Sequence, residues 1–249
     1  MSTPESHDCP HMKTSEGLEV SHAGECTLPS APIEDSSDAP YTQDEEVGVG
    51  PWPSHWSQWP TDPHYDRDLL YKGDRRNVVD RFRYWSVEAI KEELASRAHG
   101  MHVAIENVSH DLNIGSIVRT ANAFNVGGVH VVGRRRWNRR GAMVTDRYLS
   151  VYHHPTPADF AQWAQDNSLE LIAIDNGEGS TLLEQADLPE RCVLVMGSES
   201  DGISSELLSH CPRLLRIGQY GSTRSINVSA AAAIAMHTWI VQHGGTAPD

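Results

Sequence analysis

From residue 84 onward, short apolar runs of strand length alternate with segments of helical period, and that alternation leaves the chain few folds to choose from. "RYWSVEAIKEELASRA" reads as a helix with Ser86 as N-cap and Glu88 in its first turn. "HVAIEN" follows as a strand. "NIGSIVRTANAF" then puts Ile114, Ile117, Val118, Ala121 and Phe124 on one helical face. "VGG" ends that helix, and "VHVVG" is the next strand. Further strands are "LELIAID", "RCVLVMG" and "RLLRIG", with helices near 157–166, 203–210 and 225–242. Parallel strands need a crossover between them, so this alternation predicts an α/β fold with a mostly parallel sheet and helices on both faces. No internal repeat is present.

The segment before residue 84 has another character. Residues 1–50 are rich in Ser, Pro, Glu, Asp and Gly, a composition that buries too little apolar surface to offset ordering entropy, and they read as a disordered acidic leader. Residues 1–66 carry a net charge of −12, whereas residues 67–249 carry only −2. The overall acidity therefore does not argue against nucleic acid as a partner of the folded part. "PWPSHWSQWP" places Trp52, Trp56 and Trp59 in a proline-rich strap, and residues 51–83 read as strap and linker ahead of a domain at 84–245. The strap is expected to pin its indoles onto the domain or a partner subunit rather than to stack on RNA bases, because acids flank it and no arginine interleaves. "HDCPH" in the leader has no second ligand cluster, and no metal site is expected. Cys9, Cys26, Cys192 and Cys211 form no CxxC pair and suggest no disulfide framework. No apolar run approaches the roughly 20 residues that span a membrane, so a cytoplasmic location is the expectation.

Three stretches carry more glycine and polar residues than packing requires. In "ENVSHDLNIGSIVRTANAF", Asn107 ends a strand, Asn113 stands where an N-cap belongs, Gly115 lets a neighbouring backbone approach, and Arg119 lies off the apolar stripe. In "LVMGSESDGIS", a buried-type strand runs into Gly197, Glu199 and Gly202. Ligands in open α/β folds settle at such strand ends. In "RSINVSAAAAIAM", Ser225 and Asn227 stand at a helix start, followed by alanines that let a backbone or flat ligand come close. Each stretch alone reads equally well as ordinary capping and core packing.

Together and in this order, "NxGxxxR" at Asn113, Gly115 and Arg119, "GSExxG" at Gly197–Gly202 and "SxNVSxAAA" from Ser225 resemble the three motifs of the SpoU/TrmH family. These are RNA ribose 2′-O-methyltransferases of the SPOUT superfamily, and the resemblance covers roughly residues 100–242. It implies a C-terminal trefoil knot, S-adenosyl-L-methionine (AdoMet) bound in that knot, and a homodimer. It also implies cofactor contacts at Gly197, Ile217 and Ile226, with Asp175 and Asn176 beside the adenosine, and functional roles for Asn113, Arg119, Glu199, Ser225 and Asn227. One departure is evident: where the family has Ile-Pro-Met, this chain has Ile217, Gly218 and Gln219, with the spacing to Ser225 kept.

"GRRRWNRRGAM" sets Arg134, Arg135, Arg136, Arg139 and Arg140 around Trp137, a pattern suited to nucleic-acid contact. The sequence argues against a Rossmann-type enzyme, since neither "VGVG" nor "GEG" supplies a complete glycine-rich turn after an early strand. The alternative kept is a non-catalytic RNA- or AdoMet-binding module of the same fold. Only about 35 residues suited to folding (roughly 65–100) precede the first motif, which favours tRNA over rRNA as substrate, by resemblance to the tRNA-modifying members.

Overall fold

The computed structural model describes residues 48–107, 112–134, 136–137, 139–198 and 202–246, all within the compact unit Asp44–Asp249. The expectations for the leader and for Glu199, Arg135 and Asn138 lie outside the described residues, as do the side chains of Asn107, Leu112 and Arg140.

Strands so rich in valine and isoleucine are stable only when covered on both faces, and the elements arrange themselves accordingly. In chain order they are α1 (Arg67–Lys72), α2 (Val87–Ser96), β1 (Met101–Asn107), α3 (Leu112–Ala123), β2 (Gly128–Gly133), β3 (Val151–His154), α4 (Pro157–Asp166), β4 (Glu170–Ile174), β5 (Thr181–Leu182), β6 (Cys192–Met196), α5 (Ser205–Ser209), β7 (Arg213–Arg216) and α6 (Val228–His243). The seven strands lie in the order β3-β2-β1-β6-β4-β7-β5, every pair parallel. One face packs against α3 (Ile114, Ile117, Val118, Ala121) and α6 (Ala232, Ala235, Met236, Trp239). The other packs against α4 (Phe160, Ala164) and α5 (Leu207). Each fully buried large apolar side chain contributes about 1.5–3 kcal/mol. Cys192 and Cys211 belong to these interiors, and burial pushes both thiols up to about 12, far from a reactive range.

Helix boundaries follow their caps. Ser86 Oγ accepts from Ala89 N at 3.1 Å, as expected. The residue expected to cap α3 does not: the helix starts at Leu112, so Asn113 lies inside its first turn and its side chain is engaged elsewhere. Nor does "VGG" end that helix. It stops at Ala123, and Asn125 takes the left-handed turn at φ +47°, its Nδ2 donating to Leu94 O and Arg97 O at the end of α2. Gly127 serves a close approach instead, since a Cβ there would lie 2.4 Å from His102 Nε2.

The segment before β1 is longer than the roughly 35 residues expected, since it is described from Gly48 on. Val49 and Asp74 exchange backbone hydrogen bonds of 2.9 Å, Tyr84 Oη donates to Gly50 O at 2.6 Å, and Trp52 packs edge-on against Tyr65 and Tyr84. Fully buried Asp74 holds the segment together by accepting from Arg76 Nε (2.8 Å), Arg76 Nη2 (2.7 Å) and Tyr84 N (2.9 Å). Burial pushes its carboxyl up, but these donors outweigh burial and hold it below its ordinary value. Phe82 and Ile90 carry the segment onto Tyr148 of the α/β unit. Trp52 is thus held against Tyr65 and Tyr84, while Trp56 stays 70% exposed.

Sequence reading did not anticipate a diagonal row of imidazoles under α4, with His130 and His154 buried and His102 half-buried. His102 Nδ1 lies 3.0 Å from His130 Nε2, and His130 Nδ1 lies 2.9 Å from His154 Nε2. Phe160 and Trp163 pack over the row. Burial, with Arg191 nearby, lowers His102 to about 4; burial and its two neighbouring imidazoles lower His130 to about 2.

Candidate active site

Parallel strands end on a common rim, and the chain leaves β4, β6 and β7 there through loops beginning at Asp175, Gly197 and Ile217. Between them lies a cavity of about 620 Å³, a size suited to a nucleotide-sized ligand. Its lining includes Asp175, Asn176, Gly197, Ile217, Ser225, Ile226 and Asn227. Seven residues singled out from sequence therefore meet in one place.

The loops are held by local chemistry. A Cβ on Gly197 would come within 2.1 Å of the Gly202 carbonyl carbon, so only glycine allows the loop to fold back here. Ser198 and Gly202 exchange backbone hydrogen bonds of 2.9 and 3.0 Å, with Gly202 at φ +67°. Asp175 Oδ2 accepts from Ile203 N at 3.3 Å and its Oδ1 from Asn176 N at 2.7 Å. Asn176 Nδ2 in turn donates to Arg224 O at 3.1 Å, tying the β4 loop to the β7 loop. The β7 loop is held again where Gly218 N donates to Glu184 Oε1 at 2.8 Å.

Asn227 caps α6, accepting from Ser229 N (2.9 Å) and Ala230 N (3.3 Å), so that helix starts three residues later than expected and leaves Ser225 and Ile226 in the approach to it. The Nδ2 of Asn227 donates to Asn113 Oδ1 at 3.0 Å, which joins the first and third sequence stretches across 114 residues. Arg119 is not among the residues lining the cavity; its side chain is exposed on α3. Gly115 lets the 139–142 turn approach α3, since a Cβ there would stand 2.7 Å from Gly141 Cα. That turn closes the arginine-rich segment. Arg134 and Arg136 are exposed, Trp137 is half-buried, and the Arg139 guanidinium lies 5.7 Å from the Trp137 ring centroid and 3.4 Å from Asp146.

Sequence reading missed three contributors and left the part played by a fourth, Gln219, open. Glu106, almost wholly buried, accepts from Ser204 N at 2.7 Å and fixes the start of α5 to the end of β1. Arg224 and Ser198 line the cavity, as does Gln219, whose Oε1 is buried without a hydrogen-bond partner. A polar residue at a position the family leaves apolar was the available signal for Gln219; a lone strand-end carboxylate offers none for Glu106. Among the described residues, no three His, Cys, Asp or Glu side chains are placed to hold a metal ion, and no helix is long and apolar enough to cross a membrane.

The sequence profile of the SpoU rRNA Methylase family matches residues 100–237, more than half of the chain. An uncharacterised tRNA/rRNA methyltransferase of Synechocystis sp. is 28% identical over 176 residues, 68% of this chain and 46% of that protein. The tRNA (guanosine(18)-2′-O)-methyltransferase of Escherichia coli is 28% identical over 151 residues, 59% of this chain and 66% of that one. The crystal structure of AdoMet-bound rRNA methyltransferase from Sinorhizobium meliloti matches with a TM-score of 0.53 at 25% identity, covering 60% of each chain. This chain spans about half the length of the first curated relatives it matches.

Proposed function

Because the chain belongs to the SpoU rRNA Methylase family, we propose that it transfers a methyl group from AdoMet to a ribose 2′-hydroxyl of RNA, with tRNA as the substrate class. The observation that carries this is the single rim cavity in which the second and third sequence stretches meet, with the first tied on through the Asn113–Asn227 hydrogen bond.

The cavity fits the cofactor. Ile174, Met196, Ile217, Val228 and Ala231 give it apolar walls for a flat ring, and Asp175, Asn176, Arg224 and Ser225 give it polar ones. Its lining also holds an orphaned acceptor, Gln219 Oε1, in a place where a ligand N–H or O–H would satisfy it. Gly197, Ile217 and Ile226 would hold the cofactor through their backbones, with Asp175 and Asn176 beside the adenosine. When bound, AdoMet supplies an electrophilic methyl group.

The protein's own contribution is placement and charge. Aligning hydroxyl and methyl in one site supplies several kcal/mol of barrier reduction, up to about 7–11. Arginine does not give up its proton in proteins, so Arg119 serves as an electrostatic group and not as a base: it holds an RNA phosphate and stabilises negative charge developing on the 2′-oxygen. Asn113 and Asn227 brace one another, Ser225 orients the ribose or the cofactor carboxylate, and Glu199 fixes the neighbourhood of the arginine. Arg134, Arg135, Arg136, Trp137, Arg139 and Arg140 hold the RNA.

A homodimer belongs to the same proposal. Helix α6 is apolar on nearly every side, and such a helix is normally buried all round; here Val241 is 73% and Ile234 41% exposed. A second copy would cover them and bring its own Arg119 toward the cavity. The trefoil knot and a cytoplasmic location complete the reading.

Incubation with methyl-labelled AdoMet and tRNA, followed by nuclease digestion, should yield 2′-O-methylated nucleosides. AdoMet binding without transfer to any RNA would instead identify a non-catalytic binding module.

A further inference from the structure

The wall that the β7 loop gives to the rim cavity is held from outside the loop. Among the described residues, Gly218 to Ser225 make no backbone-to-backbone hydrogen bond, although Gln219, Arg224 and Ser225 line the cavity. Two side chains from other parts of the chain hold the loop instead. Asn176 grips its end through Arg224 O at 3.1 Å, and Glu184 grips its start through Gly218 N at 2.8 Å. Asn176 lines the cavity itself, whereas Glu184 does not.

Glu184 belongs to a segment, residues 180–188, that is fastened to the elements on either side of the loop. Within it β5 pairs with β7, Thr181 opposite Leu215 and Leu182 opposite Arg216, and Arg216 Nη1 donates back to Ser180 O. Leu183 is fully buried in the core, which fixes the residue next to Glu184. Farther along, Gln242 of α6 donates to Ala186 O and accepts from Leu188 N, both at 2.9 Å. The segment thus bridges the strand before the loop and the helix after it, and its Glu184 carboxylate reaches one of the first backbone N–H groups beyond the strand.

Glycine has the widest backbone freedom, so Gly218 leaves the loop loose unless something outside fixes it. Proline, which the family's Ile-Pro-Met has here, fixes φ by its ring but has no N–H to give. This chain uses the opposite device, an unrestricted backbone whose N–H is held by a carboxylate. We propose that Glu184 is a positioning residue for the cofactor cavity, a latch that fixes the β7 loop and with it the wall formed by Gln219, Arg224 and Ser225. This rests on the AdoMet-dependent reading above and adds to it a residue outside the cavity that sets cofactor affinity. The geometry leaves room for the other device as well. Gly218 does not take a positive φ, and a Cβ there would first meet the ends of two side chains, Glu184 Oε1 and Tyr220 Oη, each at 3.3 Å. A proline at this position should therefore take over the task of the latch.

The test uses the full chain, with AdoMet as the probe in calorimetry. Glu184→Ala should weaken binding about 5- to 10-fold, the effect of losing one net hydrogen bond. Glu184→Gln, whose amide oxygen still accepts, should stay within about 2-fold of wild type. Gly218→Pro should change little by itself and should restore affinity in the Glu184→Ala background. Without ligand, amide hydrogen exchange should speed up across residues 218–225 in Glu184→Ala and stay unchanged in β6. Wild-type affinity and exchange in Glu184→Ala would overturn the latch. So would a Glu184→Gln variant as weak as Glu184→Ala, or a folded double variant that Gly218→Pro does not rescue, since either would place the effect in the charge of Glu184 and not in the loop. Should the proline variants fail to fold, the comparison of Glu184→Ala with Glu184→Gln and the exchange measurement still decide. Failure of the wild-type protein to bind AdoMet would strike at the enzymatic reading alone, because exchange reads the latch without ligand.

Discussion

In the proposed function Arg119 and Gln219 serve one reaction by different means, the first through charge and the second through a hydrogen bond unmet in the ligand-free cavity. Arg119→Ala should lower methyl transfer about 10²- to 10³-fold, the usual effect of removing one electrostatic donor, with the AdoMet dissociation constant unchanged by calorimetry. Full transfer by that variant would end the role given to the arginine. Gln219→Met should raise the AdoMet dissociation constant about 5- to 10-fold, because one net hydrogen bond of roughly 1 kcal/mol is lost. The same variant should leave the ligand-free melting temperature equal or higher, since it removes a buried acceptor that has no partner there. At this scale the sequence was most informative where residue type is forced. Gly197 has no alternative, given a neighbouring carbonyl carbon only 2.1 Å from any Cβ, and Asn227 sits at a helix start. It was least informative where a side chain's partner comes from far away, as with Glu106 and Ser204, 98 residues apart.

Elements were legible because their periods are. The parallel sheet with helices on both faces follows from alternation alone, and each expected strand is present within a residue or two. Helix ends shifted where a competing hydrogen bond decided them: Asn113 bonds across to Asn227, and Asn125 rather than the glycines turns the chain. The imidazole row was invisible in sequence because His102, His130 and His154 become neighbours only through the pairing register of β1, β2 and β3. The row has a measurable consequence for stability. His102 and His130 hold values near 4 and 2 in the folded protein, below the ordinary 6.5, so the unfolded chain binds protons that the native sheet refuses. Their contribution is complete above about pH 6.5 and is lost as pH falls toward those values, at up to about 1.4 kcal/mol per pH unit for each ring. Chemical denaturation across pH 6.5 to 4 should show that slope, and His130→Phe should reduce it by about one proton whatever it does to the stability at neutral pH. An unaltered slope would mean that the row does not titrate in this way.

At the level of the whole molecule, the open question of cover for α6 yields a direct prediction. Ile234→Glu with Val241→Glu should convert a dimer to monomers in sedimentation at micromolar concentration, and should abolish methyl transfer if the second copy completes the site. A wild-type protein that sediments as a monomer would remove the dimer from the proposal. The long-range ties at the rim have a separate consequence. The cavity depends on Asn113 meeting Asn227 and on Asn176 meeting Arg224, so it does not exist until the C-terminal helix has been synthesised and docked. A chain clipped ahead of residue 224 would lack the helix that covers one face of the sheet and, under the proposed function, any place to bind cofactor. Under the proposed function, the order of synthesis would thus act as a proofreading step, since only a molecule with its C-terminal helix docked could mark RNA.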